Sequence, residues 1–329
     1  MSTRIPAARL LAAAVLAFTS AAQAQSASPA PAAASVTPAI AGVVAAGTPI
    51  TLVRDGFDGT EGPLPLADGS LLFTENRADR VIRIAPDGAI STFLERANSI
   101  NALAAGPKGE LYGVQTQQPR VGVVHPAGQE KVLADQYQGQ PFSRPNDLVL
   151  AANGTLYFTD SGSPLKPGEK PPQGHPGVYR LPAGGTLERI AGGSEIARPN
   201  GVQLSPDEKT LYVANTAGDQ VLAWDIGGDG KLGARRDFAK LSGLRDTDTG
   251  PSSGADGLAV DSDGRLYVAT TDGVQVFSAK GQALGTIVLP KAPQNLAFGG
   301  RDKKTLYVVG RGAVYTIATL SSGYRGRAK

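Results

Sequence analysis

A pattern of apolar and polar positions recurs six times along the chain. In each copy a polar residue comes first, a small or apolar stretch follows, and a turn then precedes a strand-like run with one aromatic residue. Leu266–Thr270 is typical of that run, because aromatic and β-branched side chains favour β structure. The run that follows it, Gly273–Phe277, alternates as a half-buried strand does. The aromatic residues that mark the copies are Phe73, Tyr112, Tyr157, Tyr212, Tyr267 and Tyr307.

The spacing of the copies predicts the fold class. Their leading polar residues stand 40, 45, 54, 56 and 39 residues apart, which is the range of periods found in propeller blades and solenoid turns. No window beyond the N-terminal region has a sustained i, i+3, i+4 apolar pattern, and this excludes helical solenoids. We therefore predict an all-β fold, a six-bladed β-propeller with four-stranded blades around a central channel. An additional strand at residues 50–53 is expected to complete the last blade and close the ring.

The N-terminus is typical of an exported protein. Residues 1–24 combine a basic start, an apolar segment and a small-residue Ala-Gln-Ala site, which is the pattern of a cleaved signal peptide. Residues 25–46 are rich in Ala, Pro and Ser and have too little apolar surface to fold, so we expect a flexible leader there. The propeller domain is then predicted over residues 47–329, in a protein that is periplasmic or secreted from a bacterium.

Composition and charge exclude several classes of function. The 32 basic and 29 acidic residues are scattered, whereas nucleic-acid binding calls for a basic stripe with interleaved aromatic residues. The apolar N-terminal run is shorter than the ~20 residues that span a membrane. The chain has no cysteine and only two histidines, which excludes Cys-based catalysis and Cys/His zinc sites. We predict a small-molecule substrate, no nucleic-acid or membrane partner, and infer no obligate protein partner.

The leading polar residues of the six copies are the candidate chemical groups. Each stands just before the first strand of its blade, so propeller symmetry brings the six together around the axis. Two carboxylates and four amides form an oxygen-only donor set, and hard divalent cations such as Ca²⁺ bind about 6 to 8 oxygen atoms. Without a cation, two buried carboxylates would repel each other and their pKa values would shift. The six residues are Glu61, Asn101, Asn146, Asn200, Asp256 and Asn295.

The alternative is that these residues serve only local turns. Asn and Asp before Gly are frequent turn formers, because they tolerate unusual backbone angles. However, the turns proper lie about seven residues further along each copy, and Glu61 is not a turn former. The spacing therefore favours one bound divalent cation in the channel, most simply Ca²⁺, with Mg²⁺, Mn²⁺ or Zn²⁺ as alternatives.

Seven short motifs follow one another in a fixed order. They are Glu-Gly-Pro at 61–63, Arg-Pro-Asn-Asp-Leu at 144–148, Tyr-Phe-Thr-Asp at 157–160, Arg-Pro-Asn-Gly at 198–201, Ala-Asp-Gly-Leu at 255–258, Gly-Val-Gln-Val-Phe at 273–277 and Asn-Leu-Ala-Phe-Gly-Gly at 295–300. In this order they resemble the gluconolactonase, regucalcin and senescence-marker-protein (SMP-30) family over about residues 52–319. The resemblance implies a six-bladed propeller with a catalytic divalent ion, often Ca²⁺, in the central channel, and hydrolysis of a sugar lactone.

The resemblance also implies roles for individual residues. Glu61, Asn200 and Asp256 match metal ligands of the family. Asn146 matches a position that binds the metal in some members and the substrate in others. Asp256 matches a residue that acts as a general base in some members, so we predict that it is catalytic.

Three further residues are expected to line the channel or contact substrate. Asn101 and Asn295 occupy the repeated position in blades two and six. Asp160 follows a strand and is either a wall residue or a cap of the next loop. The predicted function is a divalent-metal-dependent hydrolase of a sugar lactone or a similar small ester. Two alternatives stay open: a non-catalytic propeller that binds a ligand or protein around a structural ion, and an organophosphate hydrolase at the same site.

Overall fold

Six four-stranded antiparallel sheets dominate the part of the chain that the computed structural model describes, residues 1–2, 35–162 and 176–326. The innermost strands of the sheets contact one another in a closed ring, each touching the inner strands of the two neighbouring blades. The predicted six-bladed propeller with four-stranded blades is therefore confirmed. No helix within the described ranges is long and apolar enough to cross a membrane.

The blades follow one another in chain order, and in each the first strand is innermost. The closing strand is β1 (Ile50–Asp55). Blade 1 contains β2 (Glu61–Pro65), β3 (Leu71–Glu75), β4 (Arg80–Ile84) and β5 (Ile90–Glu95); blade 2 contains β6 (Ile100–Ala105), β7 (Leu111–Gln115), β8 (Arg120–His125) and β9 (Lys131–Ala134). Blade 3 contains β12 (Pro145–Leu150), β13 (Leu156–Asp160), β14 (Gly177–Leu181) and β15 (Glu188–Gly192); blade 4 contains β16 (Pro199–Leu204), β17 (Thr210–Asn215), β18 (Gln220–Asp225) and β19 (Arg236–Lys240). Blade 5 contains β22 (Leu258–Val260), β23 (Leu266–Thr270), β24 (Gly273–Phe277) and β25 (Ala283–Ile287); blade 6 contains β26 (Asn295–Gly299), β27 (Thr305–Gly310), β28 (Ala313–Ala318) and β1.

Four short elements lie outside the blades or between their strands. Two small hairpins precede the inner strands of blades 3 and 5, and two single-turn 3-10 helices follow strands of blades 1 and 3. The hairpins pair β10 (Gln136–Tyr137) with β11 (Gln140–Pro141) and β20 (Arg245–Thr247) with β21 (Gly250–Ser252). The 3-10 helices are η1 (Asn76–Ala78) and η2 (Gly193–Glu195).

Burial falls from the axis to the rim of each blade, as the apolar pattern requires. Every residue of the inner strand β2 is buried, whereas the outer strand β5 has no buried residue. The turns between the first two strands are fixed by Asx hydrogen bonds. The backbone N–H of Ser70 donates to Asp68 Oδ1 at 2.9 Å, and that of Thr155 donates to Asn153 Oδ1 at 2.9 Å. Asp and Asn recur there because their side chains accept from the backbone two residues on.

The strand β1 closes the ring as predicted. It pairs antiparallel with β28, in a register that places Ile50 opposite Ile317 and Asp55 opposite Ala313. Blade 6 therefore contains one strand from the start of the propeller and three from its end. This pairing covers a sheet edge that would otherwise expose unpaired backbone groups.

The propeller unit begins before the predicted boundary at residue 47. Ile40, Val43 and Val44 are buried in one apolar cluster with residues of blades 5 and 6. Residues 35–46 were assigned to the flexible leader because residues 25–46 are rich in Ala, Pro and Ser, but three apolar side chains are enough to dock residues 35–46. The predicted signal peptide and the leader up to residue 34 lie outside the described residues, apart from residues 1–2.

Candidate active site

The starts of the inner strands line a polar cavity of about 720 Å³. Its wall includes all four predicted metal-binding residues and one predicted substrate-binding residue: Glu61, Asn146, Asn200, Asp256 and Asn101. These five side chains come from five different blades. The structure thus brings together residues that are far apart in the sequence and share only their offset within the repeat.

Two glycines allow the strands that carry these residues to approach closely. A Cβ atom on Gly201 would lie 2.2 Å from the carbonyl oxygen of Asp256, and one on Gly257 would lie 2.1 Å from Oδ1 of Asn295. The N–H of Gly201 donates to the Asp256 carbonyl at 3.2 Å. The Asn-Gly and Asp-Gly pairs are therefore explained by the packing of neighbouring blades rather than by turns.

The carboxylate of Glu61 accepts hydrogen bonds from two amide side chains of blade 6. It is buried, with 5% exposure. Gln294 Nε2 donates to its Oε1 and Asn295 Nδ2 donates to its Oε2, both at 3.2 Å. Asn295 is buried and is absent from the residues that line the cavity wall, and its amide orients the Glu61 carboxylate. A contact between Asn295 and substrate stays a prediction. Gln294 does line the cavity, and sequence reasoning missed it because it precedes the repeated position.

The amide of Asn200 has a fixed orientation. The hydroxyl of Thr216 donates its proton to the carbonyl oxygen of Ala255 at 2.6 Å, so it can only accept from Asn200 Nδ2, 3.1 Å away. Asn200 Oδ1 is thereby left buried without a hydrogen-bond partner. A buried acceptor of this kind is rare in folded proteins and fits a position that binds a cation.

Asn101 and Asn146 are linked across blades 2 and 3. Asn101 Nδ2 donates to the backbone oxygen of Asn146 at 2.8 Å, and Asn101 Oδ1 accepts from Asn76 Nδ2 at 2.7 Å. Both ends of the Asn101 amide are therefore used within the protein. Asn101 lines the cavity as expected, and it also fixes the chain that carries Asn146.

The pKa values of both carboxyl groups of the site are raised. Burial raises the pKa of Glu61 well above its ordinary value, and the charges of Asp256 and Asp147 add to this effect. Loss of hydration raises the pKa of Asp256 to about 7, with a further contribution from Asp147, while arginines oppose the shift. A divalent cation would relieve this repulsion.

The donor set fits an oxygen-binding cation rather than zinc. No cluster of three or more His, Cys, Asp or Glu residues suited to a metal occurs within residues 35–162 and 176–326. The cavity instead combines two carboxylates with amide oxygens, which Ca²⁺ accepts readily. The chemistry of the donors and the unpaired Asn200 oxygen both favour the predicted cation site.

Asp147 is a charged residue that the sequence reasoning did not select. It is fully buried, and its carboxylate accepts from the N–H groups of Leu148 at 2.9 Å and Val202 at 3.0 Å. It therefore connects the inner strands of blades 3 and 4. The sequence did contain a signal for Asp147, because it is the one ionisable residue in the inner strand β12.

Asp160 is a cap and not a wall residue. It is buried, and its carboxylate accepts from the backbone N–H groups of Ser143, Arg144 and Gly162 at 2.7, 2.7 and 3.0 Å. It is absent from the residues that line the cavity. Of the two alternatives considered for Asp160, the structure supports the one in which it fixes the chain around it, because its oxygens already accept three hydrogen bonds. A role in substrate contact is not supported.

The cavity also has an arginine-rich wall that sequence reasoning did not anticipate. Four guanidinium groups line it, and a repeat search aligned on polar Asn and Asp positions did not weigh them. They are Arg77, Arg144, Arg198 and Arg311.

Comparison with known proteins agrees with this architecture. Residues 59–311 match the model of the SMP-30/Gluconolactonase/LRE-like region. A gluconolactonase from Zymomonas mobilis subsp. mobilis is 28% identical over 310 residues, which cover 87% of this chain and 85% of that protein. An L-arabinolactonase from Azospirillum brasilense is 32% identical over 169 residues, covering 50% of this chain and 52% of that protein. The solved structure of a gluconolactonase from Xanthomonas campestris has a TM-score of 0.73 at 28% identity, covering 87% of this chain and 94% of that one.

Proposed function

The chain belongs to the SMP-30/gluconolactonase/LRE-like family, and from this membership and its cavity we propose that it is a divalent-metal-dependent hydrolase that opens a sugar lactone. One observation supports the proposal most strongly. Two carboxyl groups with raised pKa values and an amide oxygen without a hydrogen-bond partner line one polar cavity that is open to solvent. The gluconolactonase that aligns with most of this chain supports the choice of a lactone as substrate.

Four residues would hold the cation: Glu61, Asn146, Asn200 and Asp256. Two carboxylates and two amides leave room for water and a substrate oxygen in the coordination of an ion such as Ca²⁺. A divalent cation bound there supplies polarisation of the lactone carbonyl and charge for the developing oxyanion. The openness of the cavity to solvent favours a catalytic ion over a purely structural one.

Asp256 is the proposed general base. Asp256 is half-buried and lines the cavity wall, and its pKa in the metal-free protein is raised to about 7. In this role the carboxylate removes a proton from the attacking water as the water oxygen bonds to the carbonyl carbon. The ring C–O bond then breaks, and the proton passes from Asp256 to the released oxygen. The product is the open hydroxy acid.

The sequence of the first 24 residues supports a second proposal, export to the periplasm or medium. A cleaved signal peptide would place the enzyme where lactones formed outside the cytoplasm are met first. Mass spectrometry of the mature N-terminus tests this, since cleavage after Ala24 is the expected result.

The proposed activity is tested by proton release from a panel of γ- and δ-lactones. Protein stripped with a chelator is expected to lose turnover, and adding Ca²⁺, Mg²⁺, Mn²⁺ or Zn²⁺ one at a time identifies which ion restores it. A protein that binds its ion yet opens no lactone or small ester would be a non-catalytic propeller. Turnover of a phosphotriester in place of every lactone would favour the organophosphate alternative.

Asp256→Asn tests the assignment of the base in the same assay. The variant keeps a coordinating oxygen but loses the basic group, so with saturating metal its turnover is expected to fall roughly 10²- to 10⁴-fold. Asp263→Asn is the matched control, because Asp263 lies in an exposed turn. Wild-type turnover in Asp256→Asn would remove Asp256 from the base role and leave the lactonase proposal standing.

A further inference from the structure

The arginine-rich wall gathers four positive charges around one cavity. Among residues 35–162 and 176–326, none of the four cavity arginines forms a salt bridge. They come from four blades: Arg77 from η1 in blade 1, Arg144 and Arg198 from the starts of blades 3 and 4, and Arg311 from the β27–β28 turn of blade 6. Arginines that serve only solubility point into solvent and do not gather around one cavity.

Arg144 and Arg198 occupy equivalent positions and are held by similar backbone contacts. Each precedes a proline, which restricts its backbone to extended conformations. The carbonyl oxygen of Arg144 accepts from the N–H of Ser161 at 3.1 Å, and that of Arg198 accepts from the N–H of Thr216 at 3.0 Å. Asp160 additionally accepts from the Arg144 N–H. Both arginines therefore project from fixed points on adjacent blades.

The arginines line the same cavity as the proposed metal ligands. Arg144 and Arg198 come from adjacent blades and line the same cavity wall. Nε of Arg198 is buried without a hydrogen-bond partner. Like charges gathered on one cavity wall are costly, and an anion that binds between them removes that cost.

The remaining charges of the cavity do not neutralise the arginines. A divalent cation would balance the charges of Glu61 and Asp256, and Asp147 is buried and does not line the cavity. Asp58 is the other acidic residue of the lining, and it is exposed. The surplus of charge on the wall is therefore positive. A neutral sugar lactone would need only hydroxyl and amide partners, whereas a planar guanidinium pair matches a carboxylate, sulfonate or phosphate.

We propose that the substrate of this enzyme is a lactone that carries a second, anionic group outside the ring, bound by Arg144 and Arg198. The inference rests on the proposed lactone-hydrolase function and specifies its substrate class. Hydrolysis adds one water across the ring ester, releases one proton from the new acid, and leaves the bound anionic group unchanged. The product then carries two negative groups.

The test compares lactones that share a ring and differ in charge. Glucono-γ-lactone and glucaro-γ-lactone differ by a hydroxymethyl against a carboxylate, and glucono-δ-lactone and its 6-phosphate make the same comparison for phosphate. The metal-loaded enzyme is expected to have a kcat/KM roughly tenfold or more higher for the anionic member of a pair, because hydrogen bonds to charged groups are the stronger kind. That advantage should shrink as salt is raised.

Variants identify the residues responsible. Arg144→Gln and Arg198→Gln should each reduce the anionic-to-neutral ratio of kcat/KM roughly tenfold, and the corresponding Lys variants should reduce it less. If a Gln variant fails to fold, the Lys variant provides the comparison. Arg301→Gln is the matched control, because Arg301 lies in the turn after β26, away from the cavity, and should leave the ratio unchanged.

The outcomes separate the inference from the proposed function. A wild-type enzyme that opens both members of each pair equally well, or Arg variants that lose both equally, would overturn the inference while the lactonase stands. If no lactone is opened, the proposed function fails. Calorimetry then tests the anion site alone, by comparing the binding of the cyclic ether 1,5-anhydroglucitol with the binding of its 6-phosphate. Tighter binding of the phosphate that is lost in the Arg variants supports the site, and equal binding refutes it.

Discussion

At the scale of single residues, the site depends on how each amide is oriented, and Asn200 is the clearest case. Its place on the cavity wall follows from the repeated offset, which could be found in the sequence. Its orientation follows from Thr216. The Thr216 hydroxyl donates to the Ala255 carbonyl oxygen and accepts from Asn200 Nδ2, so Asn200 Oδ1 is left without a protein donor. No motif marks Thr216, because it lies 16 residues after Asn200 in the same blade and meets it only where β16 pairs with β17.

Thr216→Val should weaken metal binding without removing a proposed ligand. Valine has nearly the shape of threonine but cannot accept from Asn200, so the amide is free to rotate its nitrogen into the site. Loss of such an orienting partner typically costs roughly tenfold to hundredfold in metal affinity. Calorimetric titration of the stripped protein measures this. Thr155→Val is the control, a buried threonine in a turn of blade 3 outside the cavity lining, and an equal loss there would contradict the orienting role of Thr216.

The raised pKa of Asp256 predicts how the metal-free protein responds to pH. A carboxyl whose pKa is about 7 in the folded state and ordinary in the unfolded state binds its proton more tightly when folded. Its contribution to stability is therefore present at low pH and is lost as the pH rises through about 7. The melting temperature of chelator-treated wild type, relative to Asp256→Asn, should fall between about pH 4 and pH 7. A difference that stays constant over this range would argue against the shift.

At the scale of elements, the segments that lead into the inner strands determine which side chains line the cavity. Asp160 ends β13 and holds the chain that leads into β12 through the N–H groups of Ser143 and Arg144. Glu75 ends β3 and accepts from the N–H of Asp58 in a similar way at 2.7 Å. The repeat predicted which residues begin the inner strands, but these capping contacts depend on strand register and were left undecided by the sequence.

Asp160→Asn should destabilise the protein and loosen Arg144. An amide nitrogen would face backbone N–H groups that now donate to a carboxylate, so at least one buried donor loses its partner, at a cost of about 1 to 3 kcal/mol. Thermal melting measures the loss, and the preference for anionic lactones should fall with it. Asp302→Asn is the matched control, because Asp302 accepts a single backbone hydrogen bond in an exposed turn. Equal melting temperatures for the two variants would exclude the capping role.

At the scale of the whole molecule, the ring is closed by β1 and supported by the segment before it. The apolar pattern predicted the six blades and the closing strand, since both follow from alternation and period. The docking of residues 35–46 was missed, because Ile40, Val43 and Val44 stand among small residues and form no periodic pattern. The arginine wall was missed for a related reason. Arg144 and Arg198 share one offset within their blades, but Arg77 and Arg311 have other offsets, and the four meet only in three dimensions.

Truncation separates the contributions of these segments. A chain that begins at residue 35 should melt like the mature protein. One that begins at residue 47 loses three buried side chains, worth about 1.5 to 3 kcal/mol each when fully buried, and should melt several degrees lower. One that begins at residue 58 also loses β1 and should fold poorly or not at all. If the first two chains melt alike, residues 35–46 do not stabilise the propeller.

The account as a whole rests on one ion at the centre of the ring acting in lactone hydrolysis, and a stoichiometric titration tests this most directly. Ca²⁺, or whichever ion restores turnover best, is added to stripped protein at a concentration well above the dissociation constant while proton release from a lactone is followed. The account predicts that turnover rises linearly and levels off at about one ion per chain. Full turnover in the stripped protein before any ion is added, or saturation of binding at one ion with no turnover, would contradict it.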